Sequence, residues 1–247
     1  MSATYQNEFD GEESPYTGDT PVSLVRAPIP YYTIILIASI VAVAVVQIGS
    51  GLDASILRAG FVKPAFIKQH EYWRILTGAT MHGSILHVAL NCYAFYSFGR
   101  IFEMLTNRAH LAIVFLLAAL GGGLLSLIFQ PAGISVGASG GIVGLIGYLA
   151  VYAFRRRQFI SPAFRKNLLI NIAFILIYGL VLYQVIDNFG HIGGLITGAV
   201  YGFIQIPSDA HVDPREAGPV VGFAGIAALG IFVAACGFSI LLILKII

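Results

Sequence analysis

The sequence predicts an all-α polytopic membrane protein, a cluster of six spanning helices followed by one additional C-terminal transmembrane helix. Three observations carry this reading. Hydrophobic residues make up 57% of the 247 and charged residues only 11%, far from the balance of a soluble domain. Apolar runs of membrane-crossing length fall at 32–52, 85–106, 110–130, 137–154, 168–186, 188–206 and 219–244. Lysine and arginine gather in a few connections, the bias that sets orientation in membranes.

Taken in order, residues 1–30 carry Glu8, Asp10, Glu12, Glu13 and Asp19 among Pro15, Pro21 and Pro28. They lack hydrophobic periodicity and read as a disordered acidic tail. The first apolar run starts some thirty residues in and is longer than a signal-peptide core, so it reads as a retained anchor, and no cleaved leader is expected. The connection 53–84 mixes Leu57, Phe61, Phe66, Ile67, Tyr72 and Trp73 with Arg58, Lys63, Lys68 and Arg74, a composition suited to the membrane interface.

Arg155, Arg156, Arg157, Arg165 and Lys166 crowd the connection between the fourth and fifth spans, and Arg100 and Arg108 flank the turn between the second and third. Those connections are expected on the cytoplasmic side. The N-terminus then lies in the cytoplasm, the C-terminus outside, and the 53–84 segment on the outer side. The core comprises residues 31–206, the polar stretch "PSDAHVDPREAG" a linker over 207–218, and residues 219–247 the seventh helix. That helix is expected to pack on the outside of the bundle. Cys92 and Cys236 fall inside spans and read as small packed hydrophobes rather than a disulfide. A net charge of +2 says little about partners.

Ionisable and polar groups inside spans are costly and mark functional sites by default. His87 and Asn91 stand four residues apart, on one face of the second span. Ser139 opens the fourth span, and His191 lies just inside the sixth, four residues after Asp187. The alternating topology puts His87, Ser139 and His191 at similar depth on one side. Glycine spacing adds the neighbours: Gly190, Gly194, Gly198 and Gly202 recur every fourth residue, and the fourth span has Gly140 and Gly144 on one face. Such grooves let backbones approach closely, which brings Ser139 and His191 within reach of each other.

A serine hydroxyl becomes a nucleophile when a neighbouring base takes its proton. Attack on a carbonyl also needs donors for the developing oxyanion. His87, Asn91 and the backbone N–H groups of Ala138 and Ser139 are the candidates. Neither a Gly-x-Ser-Gly pattern nor a single membrane histidine carries this alone; four such residues coinciding in depth, order and facing do.

These residues resemble the rhomboid family of intramembrane serine proteases over the six clustered spans. The motifs are "EYWRILTGATMHGSILHVALNCYAFYSFGRIFE", "GASGGIVGLIGYL" and "DNFGHIGGLITGAVYG". The resemblance implies Ser139 as nucleophile, His191 as base, and His87 and Asn91 as oxyanion-binding side chains. It further matches Trp73 and Arg74 to a Trp-Arg pair of the first outer loop, His82 to a structural loop histidine and Glu103 to an acidic position that braces helix ends. The family works with a Ser/His dyad, so Asp187 reads as a helix cap, with a third catalytic member left open by its spacing from His191. Many members have an aromatic residue four positions after the nucleophile, where this chain has Val143. Inactive relatives lose the serine or histidine or place proline before the serine; here Ala138 precedes Ser139.

The implied activity is cleavage of transmembrane-helix substrates near the outer membrane face through an acyl-enzyme. No metal, organic cofactor or nucleic-acid partner is expected. Membrane lipid is the surrounding partner, and a bacterial inner membrane the expected location. A rhomboid-like pseudoprotease that binds helices without cutting them is the competing reading. A solute transporter would show repeat symmetry between its halves, and none is visible.

Overall fold

A computed structural model describes residues 29–209 and 212–247, so the expected tail lies almost wholly outside the described residues. The chain begins with α1 (Tyr31–Ser50) and continues through a broken segment of α2 (Leu52–Ala59), β1 (Phe61–Val62), α3 (Lys63–Lys68), α4 (Arg74–Thr77) and a 3₁₀ turn at Gly78–Thr80. Then follow α5 (Ile85–Leu105), α6 (Arg108–Phe129), β2 (Ile134–Ser135), α7 (Ser139–Arg155), α8 (Pro162–Val181), α9 (Asn188–Gln205) and α10 (Pro219–Ile243). The protein is an all-α multi-pass membrane protein, with six clustered long helices and a seventh after them among the described residues.

Helix starts follow local chemistry. Ser84, Asn107, Ser161 and Asp187 each accept a hydrogen bond from a backbone N–H in the first turn of α5, α6, α8 and α9, satisfying donors that a helix start leaves unpaired. Ser161 and Pro162 also start α8 six residues before the apolar run at 168. Proline at the first helical position has its φ already set and no N–H to waste, so the polar turn containing Arg165 and Lys166 is helical too. The tail of that run, 182–186, leaves the helix as turns.

Among the described residues α1, α6, α8 and α10 are long and apolar enough by composition to cross a membrane, whereas α7, with 17 residues, is a shorter apolar helix. The helices that miss that standard, α5, α7 and α9, are the ones that bear His87, Asn91, Ser139 and His191. Packing explains why they are tolerated: Leu145, Ile146, Tyr148 and Leu149 of α7 are fully enclosed, so much of that helix meets protein rather than lipid. A Cβ on Gly194 would run into the carbonyl of Gly140, and one on Gly198 into the carbonyl of Gly144. Gly193 likewise leaves room for α6, where an added Cβ would stand 2.6 Å from the Gly121 carbonyl oxygen and 3.0 Å from Gly122 Cα. Helix α9 therefore lies with its backbone against both α7 and α6.

The segment between α1 and α5 is more ordered than an amphipathic connection requires. Its β1 pairs antiparallel with β2, Phe61 with Ser135 and Val62 with Ile134, a ladder the apolar pattern does not announce. Arg74 is buried, donating to the carbonyls of Leu57 (3.2 Å) and Gly60 (2.9 Å) and pairing with Glu71. Its guanidinium lies 4.5 Å from the centroid of the Trp73 ring, a favourable cation–π placement. The Gln47 side chain of α1 pairs with the backbone of His82 in both directions, at 2.6 and 3.1 Å. Near the other end of the bundle Glu103 accepts from both the backbone N–H and the hydroxyl of Thr33, at 2.8 and 2.7 Å.

The seventh helix covers the flank formed by α1 and α6. Gly225 meets Ala109 at close range, and Phe232 is fully buried, edge-on to Phe115 at 4.9 Å. Its last turns also contact the segment between α1 and α5, so it is more than an external appendage. Gly230 faces open space.

Two outcomes follow. Gly198→Leu should lower the melting temperature in detergent by overpacking, a cost of about 1–3 kcal/mol or more, whereas Gly230→Leu should leave it nearly unchanged. Burial, with the His87 ring alongside, pushes the His82 imidazole down from 6.5 to about 3. The unfolded chain then takes up a proton near pH 6.5 that the folded protein refuses until about pH 3, so stability should fall as pH drops through that window. Melting curves at pH 7 and at about pH 4 should show this fall, and His82→Phe should reduce it.

Candidate active site

Ser139 is the first residue of α7, reached through Gly137 and Ala138. Gly137 has φ +126°, a backbone conformation that favours glycine. A Cβ there would also stand 2.9 Å from Cε1 and Nε2 of His87. Ala138 is fully buried, its carbonyl accepting the first α7 bond from Ile142 N–H at 3.1 Å. The opening N–H groups of the helix have no intrahelical acceptor. The chain thus presents Ser139 at a helix start, beside backbone donors with no intrahelical acceptor.

His191 stands in the first turn of α9, its backbone N–H bonded to the Asp187 carbonyl at 3.1 Å. Its Nε2 lies 2.9 Å from Ser139 Oγ. With the serine hydroxyl as donor and Nε2 as acceptor, the proton of a neutral ring sits on Nδ1. Nδ1 is buried and has no hydrogen-bond partner among the described residues, so the imidazole meets the serine without a third group behind it.

On α5, His87 is half-buried and Asn91 buried. Gly83 N–H donates to His87 Nδ1 at 3.4 Å. That bond leaves the ring proton on Nε2, the nitrogen that faces Gly137. Asn91 donates one amide N–H to the His87 carbonyl at 3.0 Å and keeps a second. His82 sits next to this pair, its ring edge-on to that of His87 at 5.0 Å.

Asp187 is engaged elsewhere. One carboxylate oxygen accepts the Gly190 N–H at 2.8 Å, capping α9. The other accepts the hydroxyls of Ser126 and Ser135 and lies 4.0 Å from Lys63 Nζ. Lys63 itself is fully buried and donates to Ser126 Oγ at 2.7 Å. Burial holds the ammonium below its ordinary pKa of 10.5, while Asp187 works in the opposite direction. This cluster borders an open cavity lined by Ser139, Gly137, Asp187, Ser135, Phe61 and Ile75.

The structure therefore brings together Ser139, His191 and His87, with Asn91 one turn behind. Trp73, Arg74 and Glu103 brace elements rather than line the cavity, and Gly194 and Gly198 set the α7–α9 approach. Val143, four residues after Ser139, is buried. Lys63, Ser126 and Ser135 were not singled out from the sequence. Ser126 is the one hydroxyl in α6, a signal of sorts, but nothing in the spacing pairs Lys63 with a carboxylate so far along the chain.

Residues 69–208 match the family model described as the Rhomboid domain. The chain is 34% identical over 150 residues to the Rhomboid protease GluP of Bacillus subtilis (strain 168), covering 61% of this chain and 29% of that protein. It is 33% identical over 142 residues to RHOMBOID-like protein 6, mitochondrial, of Arabidopsis thaliana, covering 57% and 46%. It is also 31% identical over 139 residues to Inactive rhomboid protein 1 of Papio anubis, covering 56% and 16%. The chain spans less than half the length of each of these relatives. The matched stretch exceeds half of the chain and contains Ser139, His191, His87, Asn91 and Asp187, and it is on this ground that the protein belongs to the rhomboid family.

Proposed function

We propose that the protein is an intramembrane serine endopeptidase that cuts transmembrane-helix substrates with Ser139 and His191. The observation that carries the reading is the 2.9 Å contact between Ser139 Oγ and His191 Nε2, at the end of the bundle where α5, α7 and α9 all begin. Ser139 Oγ attacks the scissile carbonyl as its proton passes to His191 Nε2. The oxyanion takes hydrogen bonds from His87 Nε2–H, the free amide N–H of Asn91 and the backbone N–H groups at Ala138 and Ser139. His191 then protonates the departing amine, leaving an acyl-enzyme. Water entering through the open cavity loses a proton to His191 as it attacks, and the acid is released with the proton returned to Ser139.

Partner helices enter from the bilayer, and the orientation follows the arginine-rich connections: the N-terminus is cytoplasmic and the site faces the opposite side. A bacterial inner membrane fits this arrangement. A second reading, a pseudoprotease that holds helices without cutting them, draws on the likeness to Inactive rhomboid protein 1. The presence and contact of Ser139 and His191 favour the protease.

Purified protein should cleave a model transmembrane substrate and react with a fluorophosphonate probe, and Ser139→Ala should abolish both without changing the melting temperature. Full cleavage by that variant would remove the nucleophile assignment, and no cleavage by the unaltered chain would favour the pseudoprotease. His191→Ala should be as damaging as Ser139→Ala, because the two act as one unit. Asn91→Ala should leave residual activity, since losing one oxyanion donor costs on the order of 10²–10³ in rate. Asp187→Asn keeps a capping side chain and should cost far less than His191→Ala; equal loss would turn the dyad into a triad.

A further inference from the structure

The segment that delivers Ser139 is held along its backbone by the chain between α1 and α5, while its Ser135 hydroxyl reaches Asp187. Lys63 N–H donates to the Gly133 carbonyl at 3.2 Å, β1 pairs with Ile134 and Ser135, and Gly137 N–H donates to the Gly78 carbonyl at 3.0 Å. Gly60 leaves just enough room for Val136, whose Cγ1 would stand 3.2 Å from an added Cβ. Residues 133–137 are thus strung along residues 60–78, and that segment helps place Ser139 together with the Ser135–Asp187 bond and the α7–α9 packing.

The same segment is anchored to α10. Thr80 Oγ1 and Ser239 Oγ are 2.8 Å apart, both fully buried. Trp73 packs edge-on to Phe238 at 5.4 Å, and Arg58 donates to the Ile243 carbonyl at 2.8 Å, where a cation complements the C-terminal end of a helix. Ser239 is the one hydroxyl of α10. It can already donate to the Ala235 carbonyl of its own helix at 2.9 Å, so satisfying itself does not require Thr80. The contact makes sense as a pin between helix and segment.

We infer that α10 is a positioning element for the nucleophile: through the Ser239–Thr80 contact it fixes the segment on which residues 133–137 are strung, and so sets where Ser139 stands. Ser239 and Thr80 are positioning residues, not catalytic ones, and their effect on turnover rests on the protease reading above.

The test uses the full chain in detergent micelles, comparing Ser239→Ala, Ser239→Thr and Gly230→Leu with the unaltered protein. Hydrogen exchange of the peptide covering 133–139 reads the positioning whether or not the protein cuts anything. Ser239→Ala should speed that exchange several-fold and lower kcat by about 5–10-fold, with KM within about twofold, since small displacements of reacting groups are felt mainly in the chemical step. Ser239→Thr should restore both, and Gly230→Leu should match the unaltered chain. If Ser239→Ala folds poorly, Phe238→Leu loosens the same anchor and should give the same pattern. Unchanged exchange at 133–139, or a threonine variant no better than alanine, would overturn the inference. An unaltered chain that never cleaves, with exchange still rising in Ser239→Ala, would sink the protease reading and support the positioning role.

Discussion

The contact of α9 with α7, backbone against backbone at Gly140–Gly194 and Gly144–Gly198, is the constraint on which the rest of the site depends. Ser139 and His191 belong to helices far apart in the chain, and each stands within one turn of its helix start. The 2.9 Å contact of hydroxyl and ring nitrogen is made between two helices whose backbones touch at their glycines. Because any Cβ at Gly194 or Gly198 would enter a carbonyl of α7, the approach is set by the absence of side chains rather than by attraction between the reactive groups.

Placing polar groups in such a bundle has a cost that the surrounding structure offsets locally. Asp187 has its carboxylate taken up by a helix N–H, two serine hydroxyls and the nearby ammonium of Lys63. A buried charge is tolerable when it is paired and hydrogen-bonded in this way. His191 is treated differently, its Nδ1 left without a partner among the described residues. The carboxylate that sequence spacing offers to the histidine is committed to holding the start of α9 and the cavity wall. Asp187 thereby shapes the helix that carries His191 without bonding to its ring.

The segment between α1 and α5 joins these two arrangements. Lys63 reaches from it into the Asp187 cluster, β1 and Gly78 hold the stretch before Ser139, and Trp73, Thr80 and Arg58 meet α10. Its buried arginine satisfies carbonyls at Leu57 and Gly60 that an irregular chain would otherwise leave exposed. Helix α10 lies beyond the stretch matched to the Rhomboid domain, yet it packs on both the bundle and this segment.

Apolar runs, caps and glycine periods are local properties, and for that reason the sequence alone determined the long helices of the described residues and the starts of α5 and α9. Length and hydropathy are enough to mark α1, α6, α8 and α10 as spans, because lipid leaves the backbone few other options. The start of α8 escaped that logic because Ser161 and Pro162 fix a helix end whatever the hydropathy. What only the tertiary structure decided involves partners with no sequence relation: Lys63 with Asp187, Thr80 with Ser239, β1 with β2, and the tautomer of His87 set by Gly83. A buried lysine reads in sequence like one lying at an interface, since its partner is chosen by how helices and loop meet in space. The spacing of Asp187 and His191 allowed either a cap or a third catalytic member, and only the structure shows the carboxylate taking the Gly190 N–H and the hydroxyls of Ser126 and Ser135, with Lys63 nearby.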